Sequence, residues 1–187
     1  MRASRQKIKF EEWGDLMDVR MYRQVEGMPR LEAVRNHPLY RENYGLLEEA
    51  EQKREFCRHQ MPHLLDVARI AYILNLERQL GIEKEVIYTA ALLHDIGKFG
   101  QYRDGIPHEI GGKEIAKQIL KDLAVFSEDE TCRILQAVGE HRRPGDGVSL
   151  LGSILYESDK LSRACYICEG ESACNWSRDK KNMEIKL

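Results

Sequence analysis

The chain has 187 residues, of which 42% are hydrophobic and 32% are charged, so it can form one domain with a real core and is not a disordered chain. Its 29 lysines and arginines nearly balance its 31 acids, giving a net charge of −2, which argues against a general nucleic-acid binder. No apolar run is long enough to span a membrane, and no apolar segment follows the basic first residues as in a signal peptide, so we expect a cytoplasmic protein without a membrane partner.

The first 38 residues are the hardest to assign. Phe10, Trp13 and Leu16 have the spacing of a short amphipathic helix. Gly27 and the prolines that follow it are typical of loops. We expect residues 1–38 to be an extension that packs on the core of the domain.

Patterns typical of helices then continue to about residue 161. Residues 40–57 are rich in Glu and Leu, and Pro62 suits the first turn of a helix that is apolar over most of its circumference. Further helices are predicted over residues 84–93, 108–123, 127–141 and 149–161, with a loop at 97–107. Since no convincing strand or repeat is present, the sequence predicts a single compact all-α domain of about six or seven helices over residues 39–164.

The segment from Leu92 to Lys98 carries the most informative chemistry. His94 and Asp95 stand side by side after an apolar run, and an imidazole nitrogen and a carboxylate oxygen both ligate divalent metals well. Alone, this pair is weak evidence, because polar residues are common at helix ends and His94 could simply complement the helix dipole.

Three other candidate ligands lie, like His94, at the ends or first turns of separate predicted helices, where clefts between helices form. They are His63, His108 and His141. Asp159 lies within an apolar helix face, and a buried carboxylate there needs a partner such as a metal. Taken singly, each histidine could equally be a capping or surface residue. We interpret His59 as exposed, with a role in orienting a ligand as the alternative.

Together these residues resemble the H…HD…D signature of the HD-domain metal-dependent phosphohydrolases. The first histidine lies in His63-Leu64-Leu65-Asp66, the central motif contains His94-Asp95, and the last aspartate lies in Ser158-Asp159-Lys160. The resemblance covers about residues 56–163. It implies an HD fold and the hydrolysis of a phosphoester or phosphoanhydride bond in a small phosphorylated substrate of the nucleotide type.

His108 and His141 make the pattern similar to the dinuclear members of that family, which include bacterial diadenosine-tetraphosphate hydrolases. The resemblance implies that Asp95 bridges two metals, with His63, His94, Asp95 and Asp159 around the first and Asp95, His108 and His141 around the second. Iron or manganese suits such ligands, and magnesium, nickel and cobalt stay open. Two metals can deprotonate a bridging water and neutralise the phosphoryl oxygens.

Lys98 and Arg142 are the candidate substrate-binding residues, and Asp95 and Lys98 are the candidate catalytic residues. A lysine just beyond the central motif can stabilise a phosphate as a point charge, and Arg142, beside His141, can hold a second phosphate. The plain alternatives are a solvated lysine and a surface arginine.

Four cysteines form a second candidate metal site: Cys57, Cys165, Cys168 and Cys174. The last three lie in the tail, residues 165–187, with the spacing of a metal-binding knuckle that lacks one ligand. Cys57 precedes His63 by six residues and Cys165 follows Asp159 by six, so antiparallel helices would bring the two cysteines to one level. We interpret the four as a structural zinc site, with an iron–sulfur cluster or free thiols as alternatives. Cys132 is assigned to packing.

Two other functions stay open. The chain could be a non-catalytic HD scaffold that binds or senses metals or nucleotides, although the complete set of ligands argues against this. It could also process nucleic acid with the basic tail around Trp176, although the balanced charge argues against that. A homo-oligomer stays open as well.

Overall fold

The computed structural model describes residues 26–142 and 145–187. The helix predicted around Trp13 lies outside these residues. Within them, the chain forms eight α-helices and three single-turn 3-10 helices and no strand, so the all-α prediction is confirmed. The α-helices are α1 (Pro29–Asn36), α2 (Pro38–Ala50), α3 (Met61–Glu77), α4 (Lys84–Leu93), α5 (Lys98–Asp104), α6 (His108–Leu123), α7 (Glu128–Glu140) and α8 (Leu150–Leu161). The 3-10 helices are Cys165–Ile167, Glu171–Ala173 and Arg178–Lys180.

Helix α4 lies at the centre of the domain. Every residue from Val86 to Leu93 is buried, because α4 packs against α1, α3 and α7. Helices α3 and α8 also pack against each other, as do α6 and α7. This arrangement gathers the first turns of α3 and α6 and the ends of α4, α7 and α8 around one interior region, where the candidate ligands lie.

Local signals fix several helix ends. A capping box is present at Ser127, since its hydroxyl accepts from the Glu130 N–H and the Glu130 carboxylate accepts from the Ser127 N–H. Pro62 lies in the first turn of α3, where its missing N–H costs nothing. None of the described helices combines the length and apolar character that crossing a membrane requires.

Two short helices replace predicted loops. Residues 98–104 form α5, which ends at Gly105 in a left-handed conformation with φ 73° and packs against α2 and α6. Pro29 begins α1, whose Leu31 and Val34 are buried. The glycines and prolines near α1 and α5 favour loops, and tertiary packing stabilises both helices against that local propensity. These two helices explain why the described residues contain eight α-helices, more than the six or seven predicted.

Candidate metal centre

Two histidines that follow helices are anchored to the last turn of their own helix. The His94 Nδ1–H donates to the Ala91 carbonyl oxygen at 2.7 Å, and the His141 Nδ1–H donates to the Val138 carbonyl oxygen at the same distance. A proton on Nδ1 leaves the lone pair on Nε2 for a ligand. The hydrogen bonds therefore turn both Nε2 atoms toward the interior.

The histidines in the first turns of α3 and α6 are anchored through Nδ1 as well. The His108 Nδ1–H donates to Gln101 Oε1 at 2.6 Å, and the His63 Nδ1–H donates to Ser162 Oγ at 3.1 Å. Gln101 comes from α5, which the sequence did not predict as a helix. Such partners fix the ring orientation and the tautomer of metal-binding histidines.

The Asp95 carboxylate lies between the four rings and presents one oxygen to each pair. Its Oδ2 atom is 3.0 Å from His94 Nε2 and 3.5 Å from His63 Nε2. Its Oδ1 atom is 3.2 Å from His108 Nε2 and 3.9 Å from His141 Nε2. A carboxylate in this position can bridge two cations.

Asp159, from the last turns of α8, completes the first of two groups. Its Oδ1 atom is 3.4 Å from His63 Nε2. Among the described residues, two sets of ligand atoms lie within 4.8 Å of one another, and Asp95 belongs to both: His63, His94, Asp95 and Asp159, and Asp95, His108 and His141. The structure thus brings together all six candidate ligands of the histidine and aspartate site.

The donor set fits metal ions. His94 Nε2 is buried without a hydrogen-bond partner, and the Nε2 atoms of His108 and His141 face each other at 3.0 Å. Because both of those rings donate through Nδ1, two lone pairs point at each other and repel unless a cation accepts them. Imidazole and carboxylate ligands suit borderline divalent metals.

The protonation states favour metal binding at most of these residues. Burial lowers the pKa of His63 and His141 to about 4 and that of His108 to about 2, so these rings are neutral near pH 7. Burial would raise the pKa of Asp95, but His94 and then His59 hold it well below its usual range. At His94, burial lowers the pKa, but Asp95, Asp159 and the Ala91 carbonyl oxygen together raise it above its usual value, so a metal there competes with a proton.

Lys98 and Arg142 both line the cleft of about 240 Å³ that opens onto this centre. Lys98 Nζ is 3.9 Å from Asp95 Oδ1, and burial lowers its pKa while the Asp95 carboxylate opposes that shift. Arg142 is largely exposed and donates to Glu109 at 3.2 Å. Their roles in substrate binding stay predictions, and their positions allow them.

His59 is buried, so its interpretation as an exposed residue is wrong. Helix α2 ends at Ala50 and not near residue 57, and Glu51 turns inward to accept hydrogen bonds from the His59 N–H at 2.6 Å and the Tyr102 hydroxyl at 2.7 Å. The Glu51 carboxylate also forms a hydrogen bond with His59 Nδ1. The other ring nitrogen, His59 Nε2, lies 4.0 Å from Asp95 Oδ2. The alternative, a role in orienting a ligand, stays a prediction, and this position allows it.

Arg163 contacts the first group directly and was missed by the sequence analysis. Its guanidinium donates to His63 Nε2 at 2.9 Å and to Asp159 Oδ1 at 3.3 Å. A metal on His63 takes the same lone pair, so metal binding replaces the first of these hydrogen bonds. The i,i+4 spacing from Asp159 to Arg163 was the available signal.

The rim of the cleft contains residues from the tail. Trp176 and Lys180 line it together with Lys160, whose ammonium lies 4.8 Å from the centroid of the Trp176 ring. No periodic pattern in the tail indicates that it folds back over the centre, so the sequence analysis named Trp176 only as part of a basic tail and did not place these residues at the cleft.

One cavity of about 410 Å³ beside the centre is lined by the four candidate cysteines, Cys57, Cys165, Cys168 and Cys174. His59, Lys98 and Arg163 line the same cavity. The two sets of closely spaced ligand atoms in the described residues contain no cysteine.

Cys132 is exposed on α7, whose buried face is formed by Ile134, Ala137 and Val138, so the assignment of Cys132 to packing is wrong.

Comparisons with known sequences agree with this architecture. A family model described as HD domain matches residues 62–164. An uncharacterized protein of Clostridium beijerinckii (strain ATCC 51743 / NCIMB 8052) is 47% identical over 135 residues, which cover 72% of this chain and 84% of that protein. Ribonuclease Y of Enterococcus faecalis (strain ATCC 700802 / V583) is 26% identical over 148 residues, covering 79% of this chain and 26% of that protein. The chain therefore spans about a quarter of this ribonuclease Y relative.

A solved structure has the same fold. It is the crystal structure of a predicted HD superfamily hydrolase from an uncultured Thermotogales bacterium, with 25% sequence identity and a TM-score of 0.56. The match covers 84% of this chain and 88% of that one.

Proposed function

The chain belongs to the HD-domain family, and on that premise we propose that it is a metal-dependent hydrolase of a phosphoester or phosphoanhydride bond in a small nucleotide-type substrate. The observation that carries the proposal is that the two carboxylate oxygens of Asp95 face different pairs of histidines. Its Oδ2 atom faces His63 and His94, and its Oδ1 atom faces His108 and His141. A binding scaffold has no physical need for this shared carboxylate. The ribonuclease Y relatives are named for cleaving RNA, which supports phosphodiesters as one class of bond.

Two divalent ions at these ligands would supply Lewis acidity and a bound water of lowered pKa. The chain's own contribution is preorganisation. Each histidine ring is fixed by a hydrogen bond through Nδ1, and burial of the carboxylates and imidazoles excludes bulk water, which strengthens their interaction with charge. Iron or manganese is the proposed metal, with magnesium, nickel and cobalt as alternatives.

The cleft fits a phosphorylated ligand with a flat group. Its lining contains five lysine and arginine side chains, Lys98, Arg142, Lys160, Arg163 and Lys180, which can hold phosphate oxygens. Trp176 lies on the same rim, and an aromatic face there can stack on a nucleobase. The cations and the indole together support a nucleotide with more than one phosphate.

The test is a hydrolysis screen on protein first freed of metal with a chelator and then loaded with Mn²⁺ or Fe²⁺. The substrates are bis(p-nitrophenyl) phosphate, diadenosine tetraphosphate, guanosine tetraphosphate, a cyclic nucleotide, a nucleoside monophosphate and a short RNA. We expect turnover of at least one small substrate that chelation abolishes and metal restores. Nucleotide binding without turnover in either metal would favour the binding scaffold.

His108→Ala is expected to reduce the metal content from two ions per chain to one, because His108 contributes to the second group alone. Turnover should fall by about 10²-fold or more, since one of the two positions that polarise the substrate is lost. Elemental analysis and the hydrolysis assay measure the two effects. The matched control is His37→Ala, a histidine that caps α2, which should keep both ions. Two ions in His108→Ala would refute the second site.

Lys98→Met is expected to lower kcat/KM by about 10-fold to 100-fold with both metals retained, because a half-buried ammonium beside the cleft contributes a charged hydrogen bond to phosphate. Steady-state kinetics on the substrate found in the screen measures this. Lys121→Met, at an exposed position on α6, is the control and should behave as wild type. An unchanged kcat/KM for Lys98→Met would make Lys98 an ordinary lysine.

A further inference from the structure

The four cysteines meet at one end of the helix pair α3 and α8. Cys57 lies four residues before the first residue of α3, and Cys165 lies four residues after the last residue of α8. His63 and Asp159 are in contact between the two helices, so these ends are adjacent. Cys57 lies in no helix and Cys165 begins a 3-10 helix, so neither cysteine lies on α3 or α8, and the six-residue offsets require no matching face of those helices.

The tail that carries the other cysteines has almost no core of its own. Within residues 165–187, Cys165 and Asn182 are the buried residues, whereas Ile167 is 75% exposed and Ile185 is 79% exposed. Proteins order a segment this poor in buried apolar surface with cross-links such as bound metals or disulfides. The structure records the cysteines as free thiols, so a metal centre is the cross-link that they can form.

Short turns direct the tail cysteines toward one cavity. The Cys168 N–H donates to the Cys165 carbonyl oxygen at 3.3 Å, and the Cys174 N–H donates to the Glu171 carbonyl oxygen at 3.2 Å. Lys181 Nζ donates to the Glu171 carbonyl and carboxylate at 2.9 Å and 2.7 Å. These hydrogen bonds fold the tail back on itself, so three cysteines from one short segment and Cys57 from the domain surround the same space.

The charges around that space favour a negative occupant. Arg54, Lys98, Arg163 and Lys181 line the cavity, and Glu171 is the acidic residue among its lining. Four thiolates around iron or zinc leave a net negative charge. The cationic lining offsets such a charge.

We propose that Cys57, Cys165, Cys168 and Cys174 ligate a [4Fe–4S] cluster. A single tetrahedral zinc ion, with Zn–S bonds of about 2.3 Å, draws its sulfur ligands to about 3.8 Å from one another. Among the described residues, the sets of ligand atoms within 4.8 Å of one another include no three cysteines, although all four cysteines line one cavity of about 410 Å³. A cuboidal cluster takes one thiolate at each of its four irons, so its sulfur ligands lie farther apart than those of a single zinc ion.

The cluster would also shape the substrate cleft. Trp176 follows Cys174 by two residues and lines both the cysteine cavity and the cleft. A cluster that fixes Cys174 thereby fixes the indole on the rim. Its loss is expected to raise KM for a nucleotide more than it lowers kcat, with the metal content of the histidine and aspartate centre unchanged.

The test is the acid-labile sulfide content of the full chain, produced with iron and sulfide supplied and purified without oxygen. We expect about four sulfides per chain, a broad visible absorption band, and an electron paramagnetic resonance signal after reduction. Sulfide separates this site from the histidine and aspartate centre, since Asp95→Asn should keep it. Cys57→Ala and Cys168→Ala should lose it, and Cys132→Ala, at an exposed position on α7, should keep it.

Two results on the wild-type chain would overturn the proposal without any variant. One zinc per chain and no sulfide, with the zinc lost in Cys168→Ala, would establish a structural zinc site in its place. No sulfide, no zinc and five thiols that react with a thiol reagent would show free cysteines.

Discussion

Replacing Asp95 with asparagine is expected to lower kcat by about 10³-fold or more and to weaken the binding of both metals. Asparagine has nearly the same shape, but its amide nitrogen cannot ligate a cation and the side chain carries no charge. Because Oδ1 and Oδ2 of Asp95 face different histidine pairs, the substitution affects both metal positions at once. Hydrolysis kinetics and metal analysis of the same preparation measure the two losses.

The matched control for Asp95→Asn is Asp66→Asn. Asp66 lies exposed on α3 and pairs with Arg69 at 3.4 Å, and such surface pairs contribute little to stability. This variant should keep both metals and wild-type turnover. An Asp95→Asn protein that retained two ions and turned over substrate would contradict the bridging role.

Gly97→Ala is expected to destabilise the domain by about 3 kcal/mol and to displace His108 from the second metal position. A Cβ atom at Gly97 would clash with the His108 carbonyl oxygen and with the Gly112 nitrogen. Both are backbone atoms of α6, which cannot rotate away as a side chain can. The backbone at Gly97 has φ −82°, so the close approach of α6 is the reason for glycine here.

Gly100→Ala is the control for this substitution. Gly100 lies within α5, and a Cβ atom there would meet nothing within 4 Å. Alanine is therefore expected to stabilise the domain by about 0.5–1 kcal/mol. Urea unfolding gives both free energies. A Gly97→Ala protein as stable as wild type, with both metals bound, would show that α6 does not pack this closely.

The ligands were predictable from sequence because each lies in a short motif at a helix end. His94-Asp95 follows a run that forms the buried part of α4, and Pro62 marks the helix start that positions His63. These are local signals, and they also gave the all-α class. Which oxygen of Asp95 faces which pair of histidines depends on how four helices pack, and no local pattern contains that information.

The surroundings of the centre could not be predicted for the same reason. His59 is buried because Glu51 turns inward and binds it, which no periodicity in that segment indicates. Gln101 fixes His108 from a helix whose glycine and flanking turn residues favour a loop. Trp176 reaches the cleft because the tail folds back, and the exposed tail has no apolar pattern that would show this.

The measurement that tests the central claim most directly is a titration of metal-free protein with Mn²⁺ while turnover and bound metal are followed together. Two ions sharing Asp95 predict that turnover rises until two equivalents are bound, that the His108→Ala protein saturates at one, and that chelation reverses both. Full turnover at one equivalent, or turnover that persists in chelator, would contradict the dinuclear hydrolase.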